Sequence, residues 1–343
     1  MAGRRATPHR GISATQQDDG PMTRPSIFVT RRWPQAAEEA LAEHFDVTFN
    51  TDDAPLSKAA LAEGFATHDI AAPTVSDRID ADIINAGAAG TCRMITNYGV
   101  VVNHIDLGAA AAHDMPVSNT PGVLTDATAD LTVTLMLMLC RRAGEGEREV
   151  RAGAWAGWRP THLVGQSMTG KRLGIIGMGR IGRAVAHRAH FGFGMEVGFY
   201  NRSAIADGGG VNGTQYDSVT ALCAASDFVS LHCAATPDTF QILDMAALAA
   251  MSSDAYLINT ARGDVVDEAA LVAALEQGSI AGAGLDVYQG EPAINPAILA
   301  APHTVLLPHL GSATREARVA MGMKVVANAR AFAAGEPLPD QVG

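Results

Sequence analysis

The sequence predicts an α/β protein made of two doubly wound, parallel-sheet domains. Short apolar runs alternate with segments of helical periodicity along most of its 343 residues, which is the order of elements in parallel sheets covered by helices. A glycine pattern at residues 177–182 stands between one such run and a helical segment, as at the turn of a βαβ unit. The length also suits about two domains of ~150 residues each.

Composition and charge argue against several classes of protein. Lysine and arginine number 25 against 36 acidic residues, a net charge of −11, so a nucleic-acid-binding surface is not expected. The apolar run Leu131–Cys140 is too short to span a membrane. The four cysteines form no C-x-x-C pair, which predicts no metal site and no disulfide framework and favours a reducing cytoplasm.

The domain boundaries follow from composition and element order. Residues 1–21 contain almost no bulky apolar side chain, so we expect a disordered extension there. Residues 22–121 are predicted to form a substrate domain, and residues 122–311 a dinucleotide-binding domain. A last helix is predicted to cross back, so that residues 312–343 belong to the substrate domain.

The first domain is predicted to alternate strands with helices. Pro34 suits the first turn of one helix, and Asp80 is placed to cap another. The predicted strands are 27–30, 47–49, 69–72, 94–96 and 117–119, and the predicted helices are 34–44, 56–65 and 80–86.

The second domain starts with a long apolar helix, 125–142, and an irregular stretch, 151–166, that carries two of the three tryptophans. Those aromatic side chains need a cover, which a partner subunit or their own domain could supply. Asp267 and Gly278 mark the start and stop of a well-defined helix. The predicted strands are 173–176, 196–200, 228–231, 256–259, 283–287 and 305–307, and the predicted helices are 267–277 and the returning 312–334.

The glycine pattern predicts a dinucleotide site. Gly177 suits the tight turn out of the strand, Gly179 leaves room for a pyrophosphate, and Gly182 lets the helix pack on the sheet. The first backbone N–H groups of the helix, at Arg180, Ile181 and Gly182, then face the phosphates. The strand before and the helix after make this interpretation far stronger than that of an ordinary glycine-rich loop.

The second strand of this unit ends in Asn201, Arg202 and Ser203. An acidic residue that bonds the ribose 2′-OH usually stands near this position, about 20 residues past the glycines. None is present here, and Arg202 and Ser203 are suited to a 2′-phosphate. NADP(H) is therefore favoured, while NAD(H) stays compatible with Asn201 bonding a free 2′-OH.

Three loops at strand ends contain a cation, a carboxylate and an imidazole. Arg262, Glu291 and His309 each have an ordinary structural interpretation when taken alone. Together, on the edge where ligands bind in doubly wound sheets, they form a set suited to carbonyl reduction. Arginine polarises a carbonyl and binds a neighbouring carboxylate, histidine delivers a proton, and glutamate orients the histidine.

With these motifs the chain resembles the D-isomer-specific 2-hydroxyacid dehydrogenase family, in particular its glyoxylate/hydroxypyruvate reductase branch. The resemblance runs from about Ser26 to the C-terminus. Its motifs are Asn119–Val123, the glycine pattern, Asn259–Gly263, Gly284–Tyr288 with Glu291-Pro292, and Pro308-His309 with Gly311–Thr314. The resemblance implies two Rossmann-like domains, an active-site cleft between them, and a homodimer.

The resemblance also implies roles for individual residues. Arg262, Glu291 and His309 fall on the family's catalytic triad, and Asp286 on the residue that contacts the nicotinamide amide. The amides near Val100 and Val101 fall on the substrate loop, and Trp158 on an aromatic that some relatives insert into a neighbouring active site. The remaining residues expected at the cofactor are Thr125, His232, Pro237, Thr260, Ala261 and Gly311.

The substrate loop departs from the family's pattern at two positions. Val101 stands where relatives have glycine, and Asn103 where they have aspartate. If that glycine requires a positive φ, valine is strained there and the loop is reshaped.

The sequence therefore predicts an NAD(P)H-dependent reductase of small 2-oxo acids that forms D-2-hydroxy acids, without a metal. A formate or phosphite dehydrogenase of the same fold is an alternative, although Glu291 stands where a formate enzyme is expected to carry glutamine. A nucleotide-sensing co-repressor is the alternative without catalysis.

Overall fold

The structure is a computed structural model that describes residues 24–342. The extension expected over residues 1–21 lies outside this range. The described residues up to Leu124 and those from Thr314 onward form a first unit, and Thr125–Ala313 form a second unit.

Strands and helices alternate through both units. Up to Leu124 the elements are β1 (Ser26–Val29), α1 (Gln35–Ala42), β2 (Asp46–Phe49), α2 (Lys58–Thr67), β3 (Ile70–Ala72), α3 (Ala81–Ala89), β4 (Met94–Thr96), α4 (Leu107–Ala112) and β5 (Val117–Ser118). The second unit contains α5 (Thr125–Cys140), α6 (Ala143–Arg151), β6 (Arg172–Ile176), α7 (Arg180–Phe193), β7 (Glu196–Tyr200), β8 (Thr214–Gln215), α8 (Val219–Ala224), β9 (Phe228–Leu231), α9 (Met245–Ala250), β10 (Tyr256–Asn259), α10 (Glu268–Glu276), β11 (Gly282–Leu285), α11 (Pro296–Ala300) and β12 (Thr304–Leu306). The last elements are α12 (Arg315–Ala333) and β13 (Gln341–Val342).

The first unit is built on a six-stranded sheet in the order β13-β5-β4-β3-β1-β2. Ile27 and Val29 of β1 belong to one core, and Phe28 belongs to another, because alternate side chains of a strand point to opposite faces. Helix α12 packs against α1 and β4 of this unit. Strand β13, which the sequence analysis did not predict, runs antiparallel to β5 at the edge of this otherwise parallel sheet.

The second unit is built on a seven-stranded parallel sheet in the order β12-β11-β10-β9-β6-β7-β8. The chain moves from β6 to β7 and β8 on one side, then returns to β9 on the other side of β6. The carboxyl ends of β6 and β9 therefore mark the switch point at which doubly wound sheets bind ligands.

The local predictions hold for strands better than for helix ends. Every strand predicted from the apolar runs is present, and its ends differ by at most two residues. The helix predicted over 125–142 ends at Cys140, because Arg142 adopts a left-handed conformation (φ 49°) that starts the separate helix α6.

Over residues 24–342 no helix is both long and apolar enough to cross a membrane.

Candidate active site

The glycine-rich loop joins β6 to α7 and has the geometry that a pyrophosphate requires. Gly177 has φ +97°, and a Cβ there would lie 2.6 Å from the backbone nitrogen of Cys233. A Cβ at Gly182 would lie 2.3 Å from the oxygen of Gly177, so this glycine allows α7 to pack closely. Gly179 faces open space, and no side chain caps the α7 N-terminus that it precedes. The loop thus fits a dinucleotide, whose phosphates would be held by the N–H groups of Arg180, Ile181 and Gly182.

The end of β7 places Arg202 in solvent beside a carboxylate. Arg202 and Asp238 lie 3.8 Å apart, and their side chains are 87% and 80% exposed. The sequence spacing gave no sign of this acidic neighbour. The side-chain amide of Asn201 donates to the C=O of Ser203 at 3.0 Å, and Gln215 donates to the same C=O at 3.2 Å.

The other residues expected at the cofactor follow the strands of the same edge or begin helix α5. Thr125 is the first residue of α5, and Pro237 lies exposed in a short turn. His232 follows β9 directly, where its Nε2 atom lies 2.8 Å from Oγ of Ser230. Its Nδ1 atom is buried and bonds to nothing in residues 24–342. Burial lowers the pKa of His232 to about 3, so its imidazole is neutral.

Arg262 lies on a turn that Asn259 ties together. The side chain of Asn259 is buried, donates to the C=O of Arg262 at 2.8 Å and accepts the N–H of Ala261 at 3.0 Å. Nη1 of Arg262 donates to the C=O of Ala261 at 2.6 Å. Burial lowers the pKa of the Arg262 guanidinium, while the charges of Glu291 and Asp286 oppose that shift. Thr260, next to this turn, shares a 2.9 Å hydrogen bond with Thr132 of α5.

Glu291 and His309 are brought into direct contact. Oε2 of Glu291 lies 2.8 Å from Nδ1 of His309, and both side chains are about one-third exposed, 29% and 32%. Burial raises the pKa of Glu291, but its hydrogen bond and charge interaction with His309 outweigh that effect, so the pKa lies below its ordinary value. The charge of Arg262 lowers it further. With Nδ1 bonded to the carboxylate, Nε2 is the ring nitrogen that can exchange a proton with a ligand.

Asp286 holds the turn that contains His309. Its carboxylate accepts the N–H of Leu310 at 2.6 Å with Oδ1 and the N–H of Gly311 at 2.8 Å with Oδ2. The residue is 1% exposed, and burial raises its pKa while these two N–H groups oppose the shift. The C=O of Gly311 in turn accepts from Thr128 of α5 at 3.0 Å.

The expected substrate loop follows β4 in the first unit. Val101 does not adopt a positive φ, so the strain expected from a valine at this position is absent. The side-chain amide of Asn97 donates to the C=O groups of Gly99 and Val101, each at 3.0 Å. The amide of Asn119 donates to the C=O of Val100 at 2.6 Å. These bonds fix the orientation of the peptide groups in the loop.

The segment after α6 exposes several large apolar side chains. Trp158 is 81% exposed and Trp155 is 55% exposed, and Val150 and Val164 are exposed nearby. His162 anchors the segment to α6 through a 2.9 Å contact with Glu149. Large exposed apolar side chains mark an interaction site where they form one continuous patch.

Sequence reasoning missed two contacts that shape the Glu291 turn. Glu268 is buried and accepts the N–H of Gln289 at 2.7 Å, and a Cβ at Gly263 would collide with the backbone of Tyr288. Glu268 stands next to Asp267, the predicted helix cap, and so resembles an ordinary acidic residue of a first helical turn. The pattern contained no signal that its carboxylate turns away from the helix.

Comparison with known proteins agrees with this architecture. Residues 133–311 match the family model described as the NAD binding domain of D-isomer specific 2-hydroxyacid dehydrogenases. A glyoxylate reductase of Thermococcus litoralis is 39% identical over 93% of this chain and 97% of its own length. A glycerate dehydrogenase of Hyphomicrobium methylovorum is 37% identical over 87% of this chain and 92% of its own length.

A solved structure shows the same fold in a relative with bound cofactor. The NADPH-dependent glyoxylate/hydroxypyruvate reductase of Sinorhizobium meliloti, in complex with NADP and malonate, superposes with a TM-score of 0.81. It is 32% identical, and the match covers 94% of this chain and 97% of that one. This chain therefore belongs to the D-isomer specific 2-hydroxyacid dehydrogenase family, in its glyoxylate reductase branch, and is an oxidoreductase that uses a nicotinamide cofactor.

Proposed function

We propose that this enzyme reduces a small 2-oxo acid of the glyoxylate or hydroxypyruvate type to the D-2-hydroxy acid. The observation that carries the proposal is the 2.8 Å contact between Glu291 and His309, on the sheet edge that also holds Arg262 and the glycine-rich loop. The names of the Thermococcus and Sinorhizobium relatives support this substrate class.

The three side chains divide the work in this mechanism. Arg262 binds the carboxylate of the oxo acid and polarises its carbonyl, since a guanidinium offers a rigid fork of donors. His309 gives its Nε2 proton to the carbonyl oxygen, and Glu291 holds the ring in place through its contact with Nδ1. Bound nicotinamide supplies the hydride. The amides of Val100 and Val101 hold the substrate carboxylate.

The cofactor is proposed to be NADP(H) in preference to NAD(H). Arg202 can turn towards a 2′-phosphate because its ion pair with Asp238 is exposed to solvent, and exposed ion pairs of this kind are weak. Ser203 adds a hydroxyl, and Asn201 is the residue that could bond a free 2′-OH. Asp286 and Gly311 would lie at the nicotinamide end of the cofactor. The other residues proposed to line the bound cofactor are Thr125, His232, Pro237, Thr260 and Ala261.

We also propose that the enzyme is a homodimer in the cytoplasm. The exposed Trp155 and Trp158 supply a surface that a second copy would cover, and Trp158 would then reach the substrate site of the partner. The four cysteines are all free thiols, as expected in a reducing compartment. Light scattering of the wild type and Trp158→Ala tests the assembly, and a monomeric wild type would contradict it.

A cofactor-absorbance assay tests the reaction. Purified enzyme is supplied with glyoxylate, hydroxypyruvate, pyruvate or formate, each with both cofactors. Rapid NADPH oxidation with glyoxylate or hydroxypyruvate is the expected result. Tight cofactor binding without turnover of any of these substrates would contradict the proposal and direct attention to the Val101 loop.

A further inference from the structure

The turn that carries Glu291 is attached to helix α10 by a buried carboxylate. Oε1 of Glu268, the first residue of α10, accepts the N–H of Gln289 at 2.7 Å, and Glu268 is only 7% exposed. The side-chain amide of Gln289 donates to the C=O of Val266 at 3.2 Å. Gln289 is thus held at its backbone and at its side chain, two residues before Glu291.

Gly263 brings the same turn against the turn of Arg262. A Cβ at this position would lie 2.0 Å from the carbonyl carbon of Tyr288 and 2.2 Å from the nitrogen of Gln289. Only glycine permits two backbone segments to approach so closely. The peptide group that Glu268 bonds is therefore the one that packs on the residue following Arg262.

Helix α10 does not need Glu268 for its own start. Asp267 supplies the cap, since its Oδ1 atom accepts the N–H of Ala270 at 3.0 Å. Removing a carboxylate from water is costly, and a charge-assisted bond to a backbone N–H offsets that cost. Glu268 accepts this bond from Gln289, which belongs to the turn of Glu291 and not to helix α10.

The contacts then continue to the imidazole. The N–H of Tyr288, the residue before Gln289, faces Oε1 of Glu291 at 3.4 Å. The phenol of Tyr288 donates to the C=O of Leu307 at 2.9 Å, which holds this side chain in place. Oε2 of Glu291 meets Nδ1 of His309 at 2.8 Å. The N–H groups of Tyr288 and Gln289 belong to successive peptide groups of one turn, one facing Glu291 and the other bonded to Glu268, so the Glu268 bond restrains the turn on which the Glu291 carboxylate lies.

We propose that Glu268 is a positioning residue for proton delivery, because its bond to Gln289 fixes the turn that presents Glu291 to His309. This inference rests on the proposed function, since it assigns Glu268 a task in that reaction. A merely structural Glu268 would contribute to stability alone and would leave the pH dependence of turnover unchanged.

The test compares four variants with the wild type. Glu268→Ala removes the acceptor, Glu268→Gln keeps a neutral one, and Gln289→Ala loosens the turn from the other side. Glu276→Ala is the matched control, because Glu276 is an exposed glutamate at the end of the same helix. Turnover of glyoxylate is measured between pH 5 and 9, together with KM and the melting temperature.

Glu268→Ala is expected to lower kcat about 10-fold with little change in KM, because small misplacements of a catalytic group act on the transition state. The alkaline midpoint of the kcat profile should fall by ~0.5 pH units or more, since less carboxylate charge reaches the imidazole. Glu268→Gln should recover most of the turnover, and Glu276→Ala should match the wild type.

A lower melting temperature in Glu268→Ala with an unchanged kcat and pH midpoint would overturn the inference. If Glu268→Ala does not fold, Gln289→Ala decides: it should change kcat and the midpoint in the same direction, and an unchanged profile overturns the inference.

A readout without turnover separates this inference from the proposed function. The imidazole ¹⁵N resonances of His309 are followed with pH in the wild type and in Glu268→Ala. A different titration midpoint supports the positioning role even if neither glyoxylate nor hydroxypyruvate is the substrate. Identical titration curves overturn it whatever the substrate is.

Discussion

The C=O of Asp286 accepts the N–H of His309 at 3.0 Å, while the Asp286 carboxylate spans the two N–H groups that follow. His309 has φ +57°, a left-handed conformation that residues with a Cβ rarely adopt. Such a conformation persists only where its surroundings stabilise it. Asp286 therefore stabilises the turn that points the imidazole towards the ligand edge of the sheet.

Replacing Asp286 by asparagine should destabilise the protein. One carboxylate oxygen becomes an NH₂ group that faces a backbone N–H, which leaves a buried donor unpaired at a cost of about 1–3 kcal/mol. Urea denaturation measures this loss in the free energy of unfolding. The control is Asp254→Asn, which changes an exposed aspartate of the same unit. Equal stability of the two variants would contradict the role of Asp286.

His309→Gln should reduce kcat by a factor on the order of 10² to 10⁴, because it removes the proton donor. Cofactor binding, followed by tryptophan fluorescence, should stay as in the wild type. His303→Gln, which changes an exposed histidine immediately before β12, should leave kcat unchanged. Wild-type turnover in His309→Gln would show that another group delivers the proton.

The pair Arg202 and Asp238 should control the choice of cofactor. Arg202→Ala should lower kcat/KM for NADPH about 10-fold through the lost charge-assisted bonds, with NADH as the internal reference. Asp238→Asn should raise kcat/KM for NADPH, because a carboxylate 3.8 Å from the guanidinium competes with the 2′-phosphate. Equal effects on both cofactors would contradict this account.

Neutral His232 should make the protein less stable in mild acid. Its folded pKa is about 3, whereas an unfolded histidine titrates near ~6.5, so between these values the unfolded chain binds more protons. The free energy of unfolding therefore rises with pH across this window and is fully recovered above it. His232→Gln should flatten the rise measured between pH 4 and 6.5, while the exposed control His187→Gln should retain it. An unchanged slope in His232→Gln would contradict the prediction.

Local sequence patterns were sufficient to predict the strands and to predict that the loops of Glu291 and His309 lie on the same edge of a sheet. The apolar runs and the glycine spacing are short-range signals, and the carboxyl ends of parallel strands meet at one edge. The sequence could therefore indicate that Arg262, Glu291 and His309 share an edge. Their separations depend on the loops between them, which no pattern specifies.

Long-range features were beyond these patterns. Strand β13 has two residues and is held by bonds to β5 and by the 3.2 Å bond from the N–H of Asn119 to the C=O of Asp340. The proximity of Asp238 to Arg202 depends on how two separate loops fold. Val101 stands where relatives have glycine, and its φ is not positive. The resemblance to relatives could not predict the backbone conformation of this residue.

Strand β13 has a consequence for handling the protein. An uncovered strand edge invites pairing with other chains and aggregation, and β13 occupies the edge that β5 would otherwise present. Lys324 and Asn328 of α12 lock the residue before it, Asp340, at 2.8 and 3.0 Å. The edge of this sheet is thus formed by a two-residue strand, which offers little backbone for pairing with another chain. An affinity tag is better attached at the N-terminus, because removing or displacing β13 would expose the unpaired backbone groups of β5.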